Sequence, residues 1–207
     1  MDQGLATLLA ALVATAAAVL GYVLTQMVGR RDRQAQRFAE ALLAVYEYQE
    51  SAYRIMSRAD ESGPTRERLG ELHGKAANGI RYHFALLKVE SPLVAEAYYD
   101  LFMRTRQVGA LFRAWAWSRP PLRNDVEMSE STSLVYGNDD EIDMCLRCMR
   151  YELSWWRPPG RRRALLKQIT ELRAERVRGP RPTTFADVEL MRRQAERRRR
   201  SYEGNPE

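Results

Sequence analysis

Four side chains in this sequence carry chemistry able to hold a metal or react: Cys145 and Cys148 in "CLRC", and the only histidines, His73 and His83. On a helix, the three-residue spacing puts both sulfurs on one face, a turn apart. With both imidazoles they would complete a tetrahedral zinc set. A structural zinc site draws its ligands from close-set pairs, however, and the cysteines are the one such pair present. A redox CxxC opens a helix after a strand, and no strand pattern precedes this one. The expectation is therefore two reduced thiols packed as small hydrophobes, with no metal and no cofactor.

"LHGKAANGI", Leu72–Ile80, resembles the histidine-phosphotransfer signature, in which an exposed histidine on a helical bundle precedes a lysine and small residues. That resemblance implies a phosphoryl-accepting His73. The family places its lysine three residues after the histidine, on the same face, whereas Lys75 follows His73 by two. The competing expectation puts His73 at the boundary of the core. No serine–histidine–acid order, glycine-rich phosphate loop or paired-carboxylate motif accompanies it, and the scattered acids read as solvated helix faces. The chain reads as non-enzymatic.

The elements that would position these residues begin with an apolar run. From Leu5 to Val28 no side chain is charged. A helix rising about 1.5 Å per residue needs about 20 such residues to cross a hydrocarbon core of about 30 Å. A secretory leader would open with basic residues and carry an apolar core of about 7–15, whereas this run is longer and opens with Asp2. The expectation is a single-pass anchor over residues 1–29. Arg30, Arg31, Arg33 and Arg37 crowd its C-terminal flank. Basic flanks stay cytoplasmic, so the N-terminus is expected outside and the remaining domain inside the cell membrane, with the arginines meeting lipid phosphates at the interface. Ala10, Ala14, Ala17 and Gly21 recur as a small-residue stripe suited to helix association, and hence to a homo-oligomer; alanine abundance alone also produces such a stripe.

The net charge of +6 is uneven. From Arg157 onward there are 15 basic and 7 acidic residues, a net of +8, which leaves −2 for everything before. Only three of the 33 basic residues are lysines (Lys75, Lys88, Lys167), so arginine number reflects a general bias as much as a specific demand. Two cysteines in a cytoplasmic domain remain reduced.

Between anchor and tail, apolar residues repeat at three and four. One stripe runs through Phe38, Leu42, Val45, Tyr46, Ala52, Tyr53 and Met56, with Gly29 as the expected bend and Gly63-Pro64 as the stop. Thr65 is read as the next cap, opening a segment with Leu69, Leu72, Ala76, Ile80, Phe84 and Leu87. Gly70, Gly74 and Gly79 inside it imply close packing or a break. Ser91-Pro92 restarts a helix carrying Val94 to Trp115. A long loop is expected at about 118–138, then a helix that begins in acids and packs Ile142, Leu146, Met149 and Leu153. The fold class is all-α: the anchor, an antiparallel bundle of about four helices over 30–157, and a basic, Arg-rich helical or partly disordered tail over 158–207.

Two stretches echo each other, "AWAWSRPPL" and "LSWWRPPGRRR". Aromatic packing before a proline stop is the simpler account. The alternative seats Trp155 and Trp156 at the membrane interface beside the arginines. For the tail, lipid or protein contact ranks ahead of an inert tail, and nucleic acid last, because no aromatic platform or recognised fold accompanies it. The expected function is a membrane-anchored scaffold, adaptor or regulator whose bundle meets membrane lipid and a protein partner. The alternatives are a signalling or catalytic bundle using His73 or Cys145/Cys148, and nucleic-acid binding through the tail.

Overall fold

The computed structural model describes residues 2–121, 136–158 and 160–178, with side chains described at 15 and from 17 to 176 within those ranges. Every element among them is a helix: α1 Asp2–Met56, α2 Gly63–Glu90, α3 Pro92–Ser118, α4 Asp139–Leu153 and α5 Arg161–Arg178. The chain divides into two compact units, Met1–Ala39 and Glu40–Glu207.

In the first unit, α1 passes through Gly29 without a break, contrary to the expected bend. A single glycine costs a helix only about 1 kcal/mol, too little to stop one flanked by good helix formers. Val19, Leu20, Tyr22, Val23, Leu24, Met27 and Val28 are all exposed. Two polar side chains among them bond within the helix: the Thr25 hydroxyl donates to the Gly21 carbonyl at 2.8 Å, and the Gln26 amide to the Tyr22 hydroxyl at 3.3 Å. Among the described residues no helix is long and apolar enough to cross a membrane. The expected anchor falls partly outside them, since the side chains up to Ala14 and that of Ala16 are not described; Ala10 and Ala14 of the small-residue stripe are among these.

In the second unit, α3 is the axis. Its buried residues, among them Val94, Tyr98, Leu101, Val108 and Phe112, follow the expected spacing and face α1, α2 and α4 in turn. The Tyr98 hydroxyl donates to the Ala41 carbonyl at 2.9 Å, and Ile55 and Met56 cluster with Ala116, so α1 from Glu40 onward and α3 run parallel. The Asn138 amide donates to the Thr105 hydroxyl at 3.0 Å, and α4 descends from there beside α3. The Tyr136 hydroxyl, before α4, donates to the Gln49 carbonyl at 2.8 Å and fixes the end of the expected loop onto α1. Residues 122–135 of that loop lie outside the described residues.

Helix ends refine the expected boundaries. Ser62, not Thr65, caps α2: its hydroxyl accepts from the Thr65 amide, and Pro64 sits in the first turn, where its missing N–H costs nothing. Ser91 does precede Pro92 as the N-cap of α3, but its buried hydroxyl makes no capping bond. Helix α2 is unbroken. A Cβ on Gly79 would touch the Ala44 methyl at 3.8 Å, but one on Gly70 or Gly74 would meet nothing. Close packing therefore does not require those two glycines. Gly70→Ala and Gly74→Ala are each expected to stabilise the protein by about 0.5–1 kcal/mol, read as a rise in denaturation midpoint with unchanged slope.

Helix α4 turns a different face inward than expected. Met144, Cys145, Cys148 and Met149 are buried with Glu141, while Ile142, Leu146 and Leu153 are half-buried. The reason is a fifth helix. α5 packs on both α3 and α4 through Leu165 and Ile169, so residues 161–178 belong to the folded unit rather than to a separate tail. Residues 179–207, including Arg192–Arg200, lie outside the described residues.

Candidate functional site

The four chemistry-bearing residues stand apart. Among the described residues no group of three or more His, Cys, Asp or Glu could hold a metal ion. His73 is half-buried, its Nδ1 lies 3.2 Å from the Ser51 hydroxyl and its ring leans on Tyr48. Burial, with a smaller push from Arg113, lowers its pKa, which favours the neutral ring. An exposed phosphoryl acceptor has a different setting. His83 buries an Nδ1 with no protein partner, next to Tyr82.

Cys145 and Cys148 are free and fully buried. Burial pushes both thiols up, Cys148 to about 12 with a further push from Glu152, which favours the protonated thiols near neutral pH. A raised folded pKa gives stability that is fully present below the unfolded thiol value of about 8.5 and is lost as pH climbs through the folded one. Between pH 8.5 and 10 the protein is expected to lose up to about 1.4 kcal/mol per pH unit per thiol. Denaturant midpoints across that window check this, and Cys148→Ala should flatten the slope by about half.

The most organised polar cluster was missed by sequence reasoning, which took the acids as solvated. Asp100 of α3 and Glu141 of α4 are buried. Arg173 Nε donates to the two Asp100 oxygens at 3.0 and 3.2 Å, and its Nη2 reaches Glu96 at 3.1 Å. Arg176 donates to Glu141 at 2.5 Å and to the Asp100 carbonyl at 3.3 Å. The hydrogen bond to Asp100 is the largest reason why the Arg173 pKa is raised. These pairs join α5 to α3 and α4, and only a three-dimensional register brings residues this distant together. An i, i+3 acid pattern would not have found them. Arg176→Ala strands a buried carboxylate and is expected to cost about 2–3 kcal/mol, with amide exchange in α5 accelerating before that in α3.

The surface carries two further features. Tyr46, Gln49, Glu50, Tyr53 and Tyr136 line a shallow hollow of about 240 Å³ on α1, with Leu43 exposed a turn away. After α4, Trp155 and Trp156 stand out at 79% and 69% exposure. The tryptophan echo therefore resolves unequally. Trp115 and Trp117 pack against the Ile55–Met56–Ala116 cluster, as the simpler account expects, but Trp155 and Trp156 lie beyond the end of α4 and stay largely exposed among the described residues. The corner that holds them is built locally: the Ser154 hydroxyl donates to the Trp156 carbonyl at 2.7 Å, Arg157 pairs with Glu152 at 3.1 Å, and Gly160 turns the chain at φ +88, where a side chain would be strained.

Fold and surface together define an all-α bundle protein with buried, chemically quiet cysteines and exposed aromatic and basic patches. Compared with known protein families, curated proteins and solved structures, the chain matches none.

Proposed function

We propose that this chain is a single-pass, membrane-anchored interaction protein, a scaffold, adaptor or regulator rather than an enzyme, whose bundle lies on the cytoplasmic side and meets a protein partner. The observation that carries the reading is the apolar surface of α1. Seven large side chains between Val19 and Val28 are exposed over most of the helix circumference. A soluble helix shows one apolar stripe; apolar groups on nearly every side need lipid or protein around them. The uncharged sequence extends back to Leu5, the length of a span, and Arg30, Arg31 and Arg33 follow it. The internal bonds of Thr25 and Gln26 suit a medium that offers no water.

The partner face is the tyrosine hollow of α1. Tyrosines bury large rigid area at low entropic cost and are enriched where proteins meet. Three of them converge there beside Glu50.

Two measurements test the reading. The full chain should sediment with membranes and resist alkaline carbonate, and a C-terminal reporter should be active inside the cell; extraction by carbonate sinks the anchor. A photo-crosslinking residue in place of Tyr46 should yield one discrete protein adduct in cells that the same probe at Glu71 does not. Identical patterns from both positions would remove the hollow as the partner face.

A further inference from the structure

The register of the helices, α1 parallel to α3 and α4 antiparallel to it, fixes which parts of the second unit share an end. Ala41 lies level with Tyr98, which neighbours the Cys145 thiol, while Ile55 and Met56 meet Ala116 at the opposite end. The chain therefore enters the bundle, at Glu40, at the same end as the α2–α3 turn and the end of α4. α5 starts there too, because twelve residues after Arg161 its Arg173 has only reached Glu96 and Asp100. At this end stand Trp155, Trp156 and the first turn of α5, Arg161–Arg163.

Charge at this corner is one-sided. Arg157 is tied to Glu152 and to the Tyr151 ring. Arg161, Arg162 and Arg163 have no acidic residue in their own helical turn, and no ion pair to them is found among the described residues. Glu40, Lys88, Glu90 and Arg150 also stand at this end, as does Glu96, which Arg173 engages. Three exposed cations on the first turn of α5 add to the positive end of its dipole, a mildly unfavourable arrangement that an anionic surface relieves. Exposed indoles beside arginines have the composition of a headgroup-level belt. Covalent connection supplies the proximity: Glu40 follows Arg30 by ten residues, a tether of at most about 36 Å.

We propose that the Trp155–Arg163 corner is a second membrane contact, its indoles seated among the headgroups and Arg161–Arg163 held by anionic phospholipid of the leaflet into which Arg30–Arg33 project. The proposal rests on the anchored reading for its proximity but not for its chemistry. The second unit then meets the membrane through a contact of its own in addition to the chain that tethers it.

The test uses the full chain reconstituted with vesicles of phosphatidylcholine alone or with about one third phosphatidylserine, each carrying bromine-labelled acyl chains. Flotation reports attachment; tryptophan quenching, taken as wild type minus Trp155→Phe/Trp156→Phe, reports the corner. Both substitutions are at exposed positions and leave the core intact. The expected result is flotation with both lipids, and quenching of these two residues at least twofold greater in the anionic vesicles. High salt, or Arg161, Arg162 and Arg163 changed together to glutamine, should abolish the excess. Flotation with both lipids and no quenching difference overturns the corner and leaves the anchor standing. Flotation on anionic vesicles alone, with quenching, upholds the corner and overturns the anchor. Flotation on neither overturns both.

Discussion

Ala17→Asp combined with Leu20→Asp is expected to move the full-length protein from the membrane pellet to the soluble fraction while the bundle stays folded. Each carboxylate near the middle of a span costs about 2.5–3.5 kcal/mol of insertion free energy. Two cost about 5–7, or about four orders of magnitude in partitioning at 1.4 kcal/mol per tenfold. Both positions are exposed, so neither aspartate enters a core. Helical circular dichroism and the thermal transition of the second unit should persist. A doubly substituted chain that still pellets and resists carbonate would show that something other than lipid surrounds this helix.

The second large effect is expected at Arg58. Its guanidinium is fully buried just past the end of α1. One nitrogen donates to the Ile55 carbonyl at 3.0 Å and to the Ala116 carbonyl at 2.9 Å; the other donates to the Arg119 carbonyl and to Glu61. The last carbonyls of a helix lack the usual i+4 partner; those of Ile55 and Ala116 accept long backbone bonds at 3.4 Å, and this one side chain completes the ends of α1 and α3 together. It also lies over the Trp117 ring, 4.9 Å from the centroid. Arg58→Ala removes four hydrogen bonds and the packing on Trp117, leaving the Ile55 and Ala116 carbonyls only long backbone bonds of 3.4 Å, and each buried, poorly paired group costs about 1–3 kcal/mol. We expect a loss of about 3–4 kcal/mol, which for a unit of this size lowers Tm by about 6–15 °C. Arg58→Lys should recover less than half, because a single ammonium cannot span the fork. A Tm shift under 2 °C for the alanine variant would remove Arg58 as the tie between the two helices.

Periodicity made the α2 and α3 stripes legible: Ile80, Leu87, Val94, Tyr98 and Leu101 are buried where a 3.6-residue repeat places them. Proline and its neighbour marked the Ser91 restart, and the acids of Asp139–Glu141 marked the start of α4. The errors share a physical cause. Thr65 and Ser62 are equally good caps by type, and only the approach of the chain selects Ser62. The inward face of α4 depends on α5, whose sequence is too charged to announce a packed helix; two apolar contacts and two arginines suffice because Asp100 and Glu141 wait on the other side. Trp155 and Trp156 read as core residues by type, and exposure is a property of the corner rather than of the residues. The hollow on α1 was equally hidden, since Tyr136 arrives from a distant loop.

The separation of Asp100 from its partners has a consequence for how the molecule is made. Arg173 lies 73 residues beyond Asp100, and Arg176 lies 76 beyond. At the usual pace of about 5–20 residues per second, the ribosome delivers those arginines some 4–15 seconds after the acid. For most of that interval α1, α2 and α3 are complete while one carboxylate at their surface stays hydrated and unclaimed. Helix α5 therefore seals the acid, and a chain released before it would expose the very place where α5 belongs.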